Sequence, residues 1–143
     1  NRQHTPLSIM MLDLDHFKSI NDSFGHQSGD RALEHVATLF KQLVRSTDFA
    51  GRIGGEEFLI LLSNTGREAA AMVGERLRQA TQSEEYFADG QLIEITVSLG
   101  CSTLLPGESA DSLLRRADSA LYVAKREGRN RVVLDARAEA LSA

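Results

Sequence analysis

Residues 49–62 read FAGRIGGEEFLILL. Two apolar runs, Phe49 to Ile53 and Phe58 to Leu62, flank Gly54-Gly55. That is the composition of a tight β-hairpin, because glycine adopts positive φ without steric cost. Upstream, Leu7 to Leu14 (LSIMMLDL) is almost continuously apolar and predicts a strand buried on both faces. Downstream, Ile93, Ile95, Val97 and Leu99 alternate with polar residues, the period of a strand. Between these lie helical stretches: a short one around Phe17 to Phe24, and one from Asp30 to Val44 with a stripe of Leu33, Val36, Ala37, Phe40, Leu43 and Val44. Ala69 to Ala80, through Val73 and Leu77, predicts another. Leu113, Leu114, Ala117, Leu121 and Ala124 mark a last helix, ended by Gly128, and Val132 to Leu134 a final short strand. The order is β-α-α-β-β-α-β-α-β around a βαββαβ centre. This is an α+β, ferredoxin-like fold with a mostly antiparallel central sheet flanked by helices.

The chain's 143 residues suit one domain, read as 1–135 with a tail at 136–143 that is either a frayed helix or an appended remnant. Its 16 basic and 20 acidic side chains leave a net charge of −4, which argues against a nucleic-acid polymer as partner but not against a nucleotide. A single cysteine, Cys101, permits no internal disulfide and fits a reducing cytoplasm. No apolar run reaches the length of a membrane span, so no membrane contact is expected of this domain.

Fold assigns no function, so the chemistry must come from the acids. Asp13 and Asp15 end the first strand, where a carboxylate is costly unless it is paired or bound to metal. Glu56 and Glu57 follow the glycines, and a central hairpin can carry them beside Asp13. A small set of oxygen ligands without His or Cys suits Mg²⁺ held together with substrate phosphates. Read alone, Asp13 fits a solvated strand end equally well, and Asp15 is read as a cap for the following helix. A hairpin needs its glycines; it does not need two adjacent acids.

Three blocks then align with one known family. GGEEF (54–58), DLDHFKSINDSFGHQSGD (13–30) and ADSALYVAKREGRNRV (117–132) resemble, in order and spacing, the GGDEF family of diguanylate cyclases. Members of that family condense two GTP into cyclic di-GMP on a nucleotide-cyclase or polymerase-palm type of fold. The resemblance implies Mg²⁺, with Mn²⁺ as the alternative, on Asp13, the Leu14 carbonyl, Glu56 and Glu57. Glu56 would also be the base for the attacking hydroxyl, with Glu57 and Lys18 completing the catalytic set. Asn21 and Asp30 would read guanine, since an amide both donates and accepts and a carboxylate accepts from the guanine N–H edge. Phe17, His26 and Leu33 would be near the substrate, and Lys125 and Arg129 on the β- and γ-phosphates. Each has a plainer reading: a helix-end polar group for Asn21 and Asp30, a loop histidine for His26, and helix C-terminal cations for Lys125 and Arg129.

Arg45-Ser46-Thr47-Asp48 resembles the family's RxxD product-inhibition site, with Arg76 or Arg78 as a second arginine. The family pattern also has a DxLT segment and a helix before the first strand, whereas this sequence begins at Asn1 just ahead of it. An upstream sensory or dimerising domain and an antiparallel homodimer are further implied. The alternative is a catalytically silent module that senses GTP or cyclic di-GMP. The retained acids favour the enzyme.

Overall fold

The computed structural model describes residues 5–136. The tail assigned to 136–143 therefore lies outside the described residues beyond Ala136. The elements are β1 (Leu7–Leu14), α1 (Phe17–Phe24), α2 (His26–Leu43), β2 (Phe49–Gly54), β3 (Glu57–Ser63), α3 (Arg67–Ser83), β4 (Tyr86–Ala88), β5 (Gln91–Ile93), β6 (Val97–Thr103), α4 (Ala110–Arg126) and β7 (Val132–Leu134). The main sheet has the order β2-β3-β1-β6-β7. All its pairings are antiparallel except the parallel β6–β7 edge. The expected α+β class and mostly antiparallel sheet are thus present.

β1 is the central strand, and after Leu7 every residue of it is buried. Its pleat divides the core in two. On one face Met10, Leu12 and Leu14 pack with Phe58, Ile60 and Leu62 of β3 beneath Val36 and Phe40 of α2 and Leu77 of α3. On the other, Ile9 and Met11 meet Leu113, Ala117 and Leu121 of α4, with Leu59 and Leu61 beside them. Full burial of each large apolar side chain contributes about 1.5–3 kcal/mol, so the strand that carries Asp13 is firmly held from both faces.

Two sequence expectations need correcting. The stretch 93–99 is not one strand: β5 ends at Ile93 and β6 begins at Val97. A separate two-stranded ribbon, β4–β5, precedes β6. Each of its strands is three residues long, too short for an alternation pattern to register. The second helix starts at His26 rather than Asp30, because Gly25, at φ 90°, ends α1 and opens α2 directly. No helix among the described residues is long and apolar enough to cross a membrane. Cys101 is buried, and burial pushes its thiol up to about 12, leaving it inert.

Candidate active site

β1 delivers Asp13 to the end of the sheet, and β3 runs antiparallel to it with Glu57 as the direct partner of Asp13. The hairpin loop is Gly55-Glu56, with Gly55 at φ 45° and a register shift between Arg52 and Gly54. Leu14 N–H donates to the Glu56 carbonyl at 3.4 Å, which ties the loop to the end of β1. The acids expected to converge therefore do so.

Asp13 is 3% exposed. Its Oδ2 accepts from Lys125 Nζ, whereas its Oδ1 is buried without a hydrogen-bond partner. Burial raises the Asp13 carboxyl above the usual range; Lys125 opposes this, and Glu56 and Asp118 add to it. Glu57 is raised for the same first reason, burial, followed by the fields of Asp13 and Asp118. Asp118 is an acid that the motif reading missed. The available signal was helical spacing: it lies two turns before Lys125 on α4 and so shares its face.

This donor set fits a hard divalent cation. It offers carboxylate and carbonyl oxygens, an orphaned buried oxygen and surplus negative charge. Among the described residues, no three acidic, His or Cys side chains close into a preformed cage. Mg²⁺ that shares its coordination with water and phosphates needs none.

α1 and α2 pack as a pair, which sets Asn21 of α1 against the start of α2. Asn21 lies against Gly29: a Cβ on Gly29 would fall 1.8 Å from Asn21 Oδ1. That Oδ1 is buried and unpartnered, while Asp30, the next residue on α2, is exposed. His26 is exposed on the first turn of α2. Phe17 is half-buried against the core. Leu33, 1% exposed, packs into the core beneath α2. Lys18 is solvated, its side chain 90% exposed and 3.5 Å from Asp22. Arg129 is half-buried in a turn after α4, and its guanidinium has no hydrogen-bond partner among the described residues.

Asp15 is not a helix cap. His16, in the left-handed region, occupies the N-cap position of α1 without a side-chain cap bond. Asp15 is 3% exposed and accepts from Ser98 Oγ at 2.6 Å, Thr96 Oγ1 at 2.7 Å and Asn130 N at 2.9 Å.

Arg45, Asp48 and Arg76 line one cavity of about 230 Å³ with Asn64 and Thr65. Arg45 chelates Asp48 through Nε and Nη2, each at 3.2 Å, and also donates to the Ser63 carbonyl. Burial alone would raise Asp48, but hydrogen bonds from Arg45 and Ser63 outweigh it and hold the carboxyl below its usual value. Of the two candidate second arginines, Arg76 faces this cavity. Arg78 is taken up by Glu75 at 2.5 Å and Asn130 at 3.0 Å. A larger cavity, about 510 Å³ between α2 and the β4–β5 ribbon, contains none of these groups.

The sequence profile described as "Diguanylate cyclase, GGDEF domain" matches residues 1–131. The chain belongs to the GGDEF family. This GGDEF domain is 48% identical to Diguanylate cyclase A of Treponema denticola over 129 residues, 90% of this chain and 35% of that protein. It superposes on the GGDEF domain of DgcB from Caulobacter crescentus, solved with c-di-GMP, with TM-score 0.88 and 38% identity over 92% of this chain and 78% of that one. The active GGEEF domain of a diguanylate cyclase from Vibrio cholerae matches with TM-score 0.84 and 41% identity over 92% and 83%. The chain thus spans about a third of the curated relative's length.

Proposed function

We propose that this GGDEF domain is a diguanylate cyclase, joining two GTP into cyclic di-GMP with release of two pyrophosphates. The observation that carries this reading is the buried, half-unpartnered Asp13 set directly opposite Glu57, beside Glu56 and under Lys125. Asp13, the Leu14 carbonyl, Glu56 and Glu57 would hold Mg²⁺, which when bound supplies charge neutralisation at the phosphates. Asn21 and Asp30 hold the guanine edge. Lys125, released from Asp13 once other positive charge is present there, turns with Arg129 and Lys18 to the phosphate oxygens. Glu56 takes the proton of the 3′-hydroxyl that attacks the α-phosphate of the second GTP.

One copy holds one GTP, so two copies must face each other with their substrates antiparallel. The cavity around Arg45, Asp48 and Arg76 is read as the product-inhibition site. Product from GTP and Mg²⁺ is the test. The parent forms cyclic di-GMP, while Glu56→Gln folds and forms none. A parent that binds GTP without product would favour the silent-module reading.

A further inference from the structure

After α4 the backbone runs through three successive positive-φ residues. Gly128, Arg129 and Asn130 have φ of 128°, 64° and 47° in succession. For non-glycine residues this region is sparsely populated, so it persists only where surrounding bonds enforce it. Those bonds can be named. Arg129 N donates to the Ala124 carbonyl at 2.9 Å, closing the helix. Asn130 Oδ1 accepts from Arg78 at 3.0 Å. Asn130 N donates to Asp15 Oδ2 at 2.9 Å, a link between residues 115 apart in sequence. Asp15 needs no such bond to join strands, since Thr96 and Ser98 already anchor it to the start of β6. Its third bond goes to the turn, and the turn carries Arg129, whose guanidinium has no protein partner among the described residues.

The geometry points to Asp15 as a positioning residue: its buried carboxylate clamps the left-handed 128–130 turn so that Arg129 is presented to the triphosphate. The inference rests on the phosphate reading of Arg129 proposed above. Asp15 touches no substrate. It acts by restricting where an otherwise free guanidinium points, and small misplacements of such a group are costly in binding and rate.

The test uses 3′-deoxy-GTP, which lacks the attacking hydroxyl and cannot turn over, and GMP, which lacks the β- and γ-phosphates. Both are titrated calorimetrically with Mg²⁺. Asp15→Ala weakens 3′-deoxy-GTP at least tenfold and GMP less than twofold, matching Arg129→Ala. The double variant is no weaker than either single one. Asp15→Asn restores parental binding, because one amide oxygen can serve both Asn130 and Thr96 while its NH₂ donates to Ser98. If Asp15→Ala does not fold, Asp15→Ser, whose hydroxyl is too short to reach Asn130, carries the same expectation. Equal losses for GMP and 3′-deoxy-GTP, or no loss, overturn the clamp. An unchanged Arg129→Ala instead overturns the phosphate reading beneath it, and the clamp with it.

Discussion

A Cβ on Gly29 would lie 1.8 Å from Asn21 Oδ1, closer than any real contact. Gly29 sits inside α2, where alanine is normally better than glycine by about 0.8–1 kcal/mol. Gly29→Ala should therefore leave stability almost unchanged while displacing the Asn21 carboxamide. The expected outcome is a Tm within a few degrees of the parent and GTP affinity at least tenfold weaker. Parental affinity would show that Asn21 does not read the base. Asp13 and Glu57 give a second prediction at this scale. Burial raises both carboxyls, so protons compete with a cation over a higher pH range than for ordinary acids. Mg²⁺ affinity should climb as pH rises through that raised range, and binding should release protons; buffer-dependent calorimetric heats measure both. These residues were legible because the motif names them. The roles of Asp15 and Asp118 were not, although both lie inside the quoted blocks, because those roles depend on partners far along the chain, Asn130 for one and Asp13 for the other.

α4 rests on β6 at a point where no side chain fits between them. A Cβ on Gly100 would fall 2.1 Å from Leu121 N and 2.3 Å from the Ala117 carbonyl, both backbone atoms that cannot step aside. Gly100→Ala should push the helix off the sheet, at a cost of about 3 kcal/mol, the upper end for overpacking. Because α4 carries Lys125, nucleotide binding should fall with it. A urea midpoint shifted by less than a tenth of the parental value would refute the close approach. The long elements were readable because each buries one face and keeps its period: the stripe Leu113, Ala117, Leu121 is the surface that meets Ile9 and Met11. The apolar run of β1 correctly marked a strand covered on both sides. What escaped was set by contact rather than period. The β4–β5 ribbon exposes Phe87 and Leu92, directly paired across it, so its hydrophobic residues do not face one core. Gly100 offers no side chain for a pattern to register, yet it is where α4 is seated on β6.

Across the whole molecule one buried ionic group joins the last helix to both of its flanks. Arg116, 3% exposed, pairs with Glu108 at 2.5 Å before α4 and with Asp135 at 2.8 Å after β7, and it donates to the Thr103 carbonyl at 2.7 Å. Its guanidinium therefore ties the loop after β6, the body of α4 and the end of the final strand into one unit. The hydrogen bond from Arg116 is the main cause that holds Glu108 down to about 2, against burial acting the other way. A carboxyl lowered on folding stabilises the native state above its ordinary pKa and loses that contribution as pH falls. From an ordinary value of 4.5 to about 2 the shift corresponds to roughly 3 kcal/mol, and the Glu108 side chain is only 6% exposed, so solvent screens little of it. Asp13 and Glu57 act in the opposite direction: burial raises both on folding, so acidification relieves the cost of holding their charges out of water before Glu108 begins to titrate. Stability should therefore hold through mild acidification and fall only as pH drops through the window from about 4.5 toward 2. Glu108→Gln should be less stable than the parent by about 3 kcal/mol at neutral pH, because it leaves Arg116 short of one buried partner. That gap should narrow below about pH 4.5 and largely close as pH falls to about 2, where the parental Glu108 itself takes up its proton. Urea unfolding of both proteins across this range measures the gap directly. A gap that stays constant with pH would assign the loss to packing at position 108 rather than to its charge.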